Sequence, residues 1–321
     1  MTACIGGIDL GGTKVQAVIV DHRHKVLGKA RVATPTVGGP DDVLAAIVEA
    51  IAAAAKIVGV ETSALLGIGI GAPGAVDAKH GVLTRAPNLP GWDHPYPLAE
   101  RVGEACGTKV LLGNDVAVAV LGERDLGAAR DLQSFVGVWW GTGVGGGIVL
   151  DRELWKGRGA AGEIGHMVIQ RDGLAEPNGL VGTMEAYAGR RNMEARARAA
   201  VAAGRTTNLF DLMMEDRKER LSSRVWEEAL AYGDVLAHEL IGEAVGAIAA
   251  AAANVVNILD LEAVILGGGL GSRLGQSMAD RIAREMVPHL FRPEVAPPVR
   301  VAALGDLGGA IGAALLVAKR S

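Results

Sequence analysis

Near its start the chain sets apolar residues in a strand-like pattern. Gly7-Ile-Asp-Leu-Gly11-Gly12-Thr13-Lys14 runs into Val15-Gln-Ala-Val-Ile-Val-Asp21. That spacing predicts a strand, a Gly/Thr turn and a second strand, a β-hairpin. The pattern returns at Gly137-Val-Trp-Trp-Gly141-Thr142-Gly143-Val-Gly145 and runs to Asp151, without a gap and at an offset of 130 residues. Gly7 matches Gly137 and Gly11 matches Gly141. A repeat in register implies two similar halves. Val110-Leu111-Leu112 reads as a strand opening into a helical run from Val116 to Leu121. Helices are expected over 181–203 and 226–259, and a strand at Ala263-Val-Ile-Leu266 empties through Gly267-Gly268-Gly269 into an amphipathic helix from about Ser272 to Met286. A last helix is expected from Asp306 to about Lys319.

The order of elements gives an α/β fold. At 321 residues the chain exceeds the ~250–300 at which a single core stops growing, so two domains are expected. They are placed at 1–115 plus 301–321 (smaller) and 116–300 (larger). The charge is balanced, 32 basic against 36 acidic side chains, a net of −4, which argues against a nucleic-acid partner. Cys4 and Cys106 are the two cysteines, too few for a disulfide framework or a four-thiolate zinc site. The apolar run Ala244–Ala253 is 10 residues long, short of the ~18 read as a membrane span. Met1-Thr2-Ala3 leads straight into strand-like sequence, unlike a signal peptide. A cytoplasmic enzyme without membrane partners is the expectation. The 46 glycines are an excess, and the aromatics (five Trp, three Tyr, three Phe) are few. A core of Ala, Val, Leu and Ile follows.

Glycine tips lack Cβ, so their amides can converge on an anion, and Thr13 and Thr142 can add hydroxyl donors. A polyphosphate held between two domains suits that geometry; ordinary hairpins are the plainer alternative. Gly69-Ile-Gly71-Ala-Pro73-Gly74 satisfies the dinucleotide fingerprint, but Ala75–Thr84 alternates like a hairpin where the fingerprint needs a helix. No P-loop spacing occurs. Asp115, at the end of a strand and the start of a helix, has two readings: a helix cap or a base aimed at a substrate. Asp9 stands in a strand where an apolar side chain is expected, and could hold Mg²⁺ through water. Glu163, His166 and Glu185 are polar residues in otherwise small or apolar surroundings, with a turn at Gly165 expected. Asn88 lies in a proline-braced loop, Pro87-Asn88-Leu-Pro90, where a turn role is the plain reading.

Together these segments resemble the ROK family of sugar kinases and repressors, within the actin-like, ribonuclease H-like and hexokinase-related fold of duplicated domains around a cleft. The carriers are Asp9-Leu-Gly11-Gly12-Thr13-Lys14, Gly71-Ala-Pro73-Gly74, Pro87-Asn88-Leu-Pro90-Gly91-Trp92, Asn114-Asp115, Gly141-Thr142-Gly143, Glu163-Ile-Gly165-His166, Glu185-Ala-Tyr187 and Gly267-Gly268-Gly269. The resemblance implies roles. Asp9, Gly11, Gly12, Thr13 and Lys14, with Thr142 and Gly143, would hold the phosphates of ATP and Mg²⁺. Gly267, Gly268 and Gly269 would lie near the adenosine. Asn88, Asn114, Asp115, Glu163, His166 and Glu185 would bind a hexose, with Asp115 as general base. A glucokinase-like activity, ATP to glucose, is implied. A kinase for another sugar (N-acetylhexosamine, mannose or fructose) or a polyphosphate-dependent hexokinase is the alternative. A repressor ranks lower, because the phosphate-loop strand begins by Ile5 and leaves no room for a DNA-binding segment before it, and a non-catalytic sugar sensor ranks lower because it would not need Asp115 and both phosphate loops intact.

One departure is informative. Many relatives carry a cysteine-rich stretch that binds structural zinc just before the last glutamate. Here the matching positions are Glu176, Asn178 and Thr183, none of which supplies a thiolate, so no zinc is expected. A second is Ala117, where relatives often have Asn. Small residues on the Ala244–Ala253 helix would permit close packing, and family analogy supports a homodimer.

Overall fold

A computed structural model describes residues 4–86 and 88–318. Met1-Thr2-Ala3, Pro87 of the expected braced loop and Lys319 at the expected end of the last helix lie outside the described residues. The chain forms two compact units, one taking in the described residues up to Arg130 and from Ala303 on, the other Asp131–Ala302.

The first unit opens with β1 (Ile5–Leu10), β2 (Lys14–Val20), β3 (Val26–Ala33) and α1 (Pro40–Val58). It continues through β4 (Ile68–Ala72), the small hairpin β5 (Ala75–Asp77) and β6 (Val82–Arg85), α2 (Leu98–Cys106), β7 (Val110–Asn114) and α3 (Asp115–Leu126). The hairpin replaces a nucleotide-binding helix, as the alternation predicts. The sheet order is β3-β2-β1-β4-β7. β1 pairs antiparallel with β2 and parallel with β4. The C-terminal helix Gly308–Ala318 packs on β1 and β4. Glycine makes that approach possible: a β-carbon at Gly7 or Gly69 would collide with the Ala310 or Ala313 carbonyl.

The boundary falls after Arg130 rather than near residue 115, because α3 belongs to the first unit's packing. Gly312 on the C-terminal helix comes so close to the Val118 carbonyl that a β-carbon would not fit. The buried Glu123 carboxylate also accepts the amides of Ala128, Ala303 and Leu304 at 2.7, 2.9 and 2.8 Å. Those bonds tie the returning segment to α3 and satisfy the buried charge.

The second unit repeats the plan. It comprises β8 (Phe135–Trp140), β9 (Val144–Leu150), β10 (Glu153–Leu154), α4 (Met184–Ala188), α5 (Arg190–Ala202), α6 (Leu209–Glu215), α7 (Ser223–Ala231), α8 (Val235–Leu259), β11 (Ala263–Gly267), α9 (Gly268–Met286) and β12 (Val299–Val301). Its sheet order, β10-β9-β8-β11-β12, is that of the first unit. β8 likewise pairs antiparallel with β9 and parallel with β11.

Two expected long helices are broken. Gly189 separates α4 from α5, and a β-carbon there would sit 2.8 Å from the Glu185 carbonyl oxygen. Gly233 turns with φ of 73° between α7 and α8, and Asp234 caps α8 by accepting the Ala237 amide at 2.8 Å. By length and composition α8 could cross a membrane. Its Leu240, Ile241, Ala244, Val245, Ile248 and Ala252 are buried in the second unit's core. Trp140 and Trp226 are fully buried there too. Trp155, Tyr232 and Phe291, by contrast, stay exposed.

Candidate functional site

The two glycine tips are built on matching strands but closed differently. In the first, Leu10 faces Val15 and the Gly11 amide donates to the Lys14 carbonyl at 2.9 Å. In the second, Trp140 faces Val144 and the Gly141 amide donates to the Gly143 carbonyl at 2.9 Å. The second tip is one residue tighter, a register difference that an ungapped alignment of the repeat conceals. Their supports differ as well. Thr34 holds the first: its amide donates to the Thr13 carbonyl at 3.2 Å and its hydroxyl to the Gly11 carbonyl at 2.6 Å. The start of α5 holds the second, the Arg190 and Arg191 amides donating to the Gly141 and Thr142 carbonyls at 3.2 and 3.1 Å.

Around the first tip the structure gathers several expected residues. Asp9 sits on β1 opposite Gly71 of β4, and a β-carbon at Gly71 would lie 3.3 Å from the Asp115 Cα. Burial first, then the Asp115 carboxylate and Asp306, push the Asp9 pKa up to about 6 against the pull of Lys14. Gly309 lies against that carboxylate, since a β-carbon there would come 2.7 Å from its Cγ. Lys14 and Arg31 both form ion pairs with Asp306. Gly12 backs onto Asn88, whose carbonyl oxygen would be 2.9 Å from an added β-carbon. Asn114 caps α3, its Oδ1 accepting the Ala117 amide at 3.1 Å. Asp115 is the first helical residue, and its Oδ1 accepts the adjacent Val116 amide at 2.9 Å.

Around the second tip, Glu185 on α4 lies against Gly143, where a β-carbon would collide with its Oε2. The same oxygen accepts the Val144 amide at 2.6 Å. Burial pushes the Glu185 pKa up; the Val144 amide and the nearby His166 pull the other way. Glu163 precedes a 3-10 turn, Ile164–His166, and both Glu163 and His166 are exposed. Gly267 ends β11 and Gly268 opens α9 with φ of 80°, its approach to the Trp140 backbone closing out any side chain. A β-carbon at Gly141 would stand 3.8 Å from the Gly269 nitrogen, so the second tip and the third glycine cluster are neighbours. Glu176, Asn178 and Thr183, the three positions expected to supply no thiolate, form a hydrogen-bonded knot. Thr183 donates to Glu176, and Asn178 reaches Glu176 Oε2 at 3.5 Å. Glu176 and Thr183 are both buried.

Arg190, Ser223, Asp306 and Gly309 escaped the sequence reading. Arg190 reaches Ser223 and Thr142 across 33 and 48 residues of chain, a separation no local periodicity marks.

A family model for ROK matches residues 5–320. The chain belongs to the ROK family. This ROK chain is 32% identical over 316 residues to a glucokinase of Thermotoga maritima, covering 98% of the chain and 97% of that protein. It is 30% identical over 310 residues to an N-acetylmannosamine kinase of Yersinia pseudotuberculosis, covering 96% of each. A ROK family glucokinase from Streptomyces griseus, solved in complex with glucose and AMPPNP, superposes with a TM-score of 0.83 at 32% identity, covering 99% of the ROK chain and 100% of that chain.

Proposed function

We propose that this ROK chain is an ATP-dependent sugar kinase that phosphorylates a hexose hydroxyl, with glucose as the leading acceptor. Full-length similarity to a glucokinase, and to a relative solved with glucose and AMPPNP, supports the reaction class. One geometric observation supports the base: Asn114 caps α3, so the capping role that competes for Asp115 is already filled.

In this reading the acceptor hydroxyl gives its proton to Asp115 as its oxygen attacks the γ-phosphorus, and ADP departs. Asn88, Asn114, Glu163, His166 and Glu185 hydrogen-bond the sugar. An unmatched buried partner among them would cost about 1–3 kcal/mol, which is how such a set selects its acceptor. Gly11, Gly12, Thr13 and Lys14, and separately Thr142 and Gly143, meet phosphate oxygens, and Gly267, Gly268 and Gly269 border the adenosine. Asp9, beside a second carboxylate, offers the hard oxygen that a hydrated Mg²⁺ takes up. When bound, Mg²⁺ supplies neutralisation of the phosphate charge. The thiolate-free knot at Glu176, Asn178 and Thr183 is read as a hydrogen-bonded replacement for structural zinc. A homodimer working in the cytoplasm, without nucleic-acid or membrane partners, completes the proposal.

The N-acetylmannosamine kinase relative supports one second reading, the same chemistry on an N-acetylhexosamine. ADP release over a panel of sugars, with ATP and polyphosphate as donors, tests both. Glucose should give the highest kcat/KM with ATP; the absence of sugar-stimulated turnover with either donor would overturn the kinase assignment.

A further inference from the structure

Arg190 opens α5 and folds its guanidinium back against the second glycine tip. Nη2 donates to Thr142 Oγ1 at 3.1 Å and Nη1 donates to Ser223 Oγ at 2.7 Å. Both acceptors are neutral hydroxyls. Arg190 enters none of the ion pairs among the described residues. Glu194, the acid that acts on it electrostatically, is committed elsewhere: Oε1 accepts from Arg198 at 2.8 and 3.0 Å, and Oε2 accepts the Leu221 amide at 3.1 Å.

The location is a poor one for an uncompensated cation. The guanidinium is half-buried, and burial together with Arg191 acts against its charge. It also stands at the positive end of the α5 dipole, in a first turn without an acidic residue. A guanidinium has five N–H groups and two are accounted for by the hydroxyls. The α5 amides offer no competing anion site, because the first two already donate to Gly141 and Thr142. Those same bonds fix Arg190 relative to the tip. On its other side, a β-carbon at Gly269 would sit 3.5 Å from Ser223 Oγ. Tip hydroxyl, guanidinium, Ser223 and the glycine cluster are therefore contiguous, and the group they lack is an anion.

We propose that Arg190 binds the non-bridging oxygens of the donor's phosphate chain, sharing them with the Thr142 hydroxyl while Ser223 aims the guanidinium. The proposal rests on the kinase reading for the identity of the donor. The chemistry is that of a condensed phosphate, whether the β- and γ-phosphates of ATP or a stretch of inorganic polyphosphate. A planar guanidinium suits it, since two parallel N–H groups can match two phosphate oxygens where an ammonium offers a point charge.

The test compares full-length wild type with Arg190→Gln, Arg190→Lys and Ser223→Ala. In steady state, Arg190→Gln should raise the KM for ATP about 10- to 100-fold, the range of a lost charge-assisted hydrogen bond, and leave the sugar KM within about twofold. Arg190→Lys should recover only part of the loss. Ser223→Ala should raise the KM for ATP about threefold and is the variant to use if Arg190→Gln does not fold. Calorimetric titration with ADP, AMP and tripolyphosphate needs no turnover. Arg190→Gln, or Ser223→Ala in its place, should weaken ADP and tripolyphosphate while AMP is unchanged. Loss with ATP alone, or with ATP and polyphosphate together, supports the contact and distinguishes the donors. An unchanged KM for ATP and unchanged tripolyphosphate affinity would overturn it, as would full rescue by lysine with both substrates' KM values moving alongside Tm. If wild type shows no sugar-stimulated turnover, the kinase reading fails, and the tripolyphosphate titration still decides Arg190.

Discussion

Asn114 Oδ1 accepts the Ala117 amide at 3.1 Å, so Asn114, not Asp115, is the cap of α3. Two adjacent residues that the chain could have used interchangeably thereby receive different tasks. Asp115→Asn is expected to lower kcat by at least about a hundredfold, the usual span of acid–base catalysis, with Tm nearly unchanged. Asn114→Ala is expected to cost about 1 kcal/mol of stability as a lost cap. Measured turnover of Asp115→Asn near that of wild type would reassign Asp115 to its local bond with Val116.

Asp9 predicts a pH dependence of the metal-free protein. Its carboxyl titrates near 6 in the folded chain against 3.8 for an ordinary aspartate. Between those values the native state binds a proton that the unfolded state releases, so stability falls as pH rises from about 4 to about 6. The loss from this group amounts to up to about 3 kcal/mol, and it levels off above that window. Urea unfolding in EDTA should show the slope in wild type and a reduced one in Asp9→Asn. Identical slopes in the two proteins would remove Asp9 as its source. Added Mg²⁺ should stabilise wild type at pH 7.5 more than the variant.

The second tip predicts a coupling between glycine and acid. A β-carbon at Gly143 collides with the Glu185 carboxylate, so Gly143→Ala must displace Glu185 or open the tip. An increase of about tenfold or more in the sugar KM is expected if Glu185 contacts the acceptor, in line with one lost charged hydrogen bond. Glu185→Gln should raise it comparably. A sugar KM insensitive to both changes would detach Glu185 from substrate binding.

The knot at Glu176 and Thr183 can be probed without turnover. Thr183→Val removes the hydroxyl that donates to the buried Glu176 and also the cap of α4, whose Ala186 amide bonds Thr183 Oγ1 at 3.1 Å. A loss of about 2–3 kcal/mol is expected, largely restored by Thr183→Ser. Metal analysis of the purified protein should find well under one equivalent of zinc; a stoichiometric, tightly held ion would refute the hydrogen-bonded account.

The strands were legible because their signal is local. Apolar alternation and a Gly/Thr tip, repeated at the same offset, located β1 with β8 and β2 with β9, and the two sheets share one strand order. The hairpin after Gly74 and the strand running into α9 were readable for the same reason. Long helices were less so: the apolar pattern ran through Gly189 and Gly233, and the breaks appear only where backbone geometry excludes a continuous helix. Not every glycine stands at a ligand-facing tip. Gly7, Gly69 and Gly312 serve close packing around the C-terminal helix.

By itself the sequence determined the α/β repeat, the family and the glycine tips with their neighbouring acids, since those depend on residue type at short spacing. Tertiary structure decided which of Asn114 and Asp115 caps, where the unit boundary falls, how tightly each tip closes, and that Arg190 meets Thr142. The unit boundary and the Arg190 contact turn on approaches between segments distant along the chain; the cap and the tips turn on backbone and side-chain hydrogen-bond geometry within a few residues, which residue type alone leaves open.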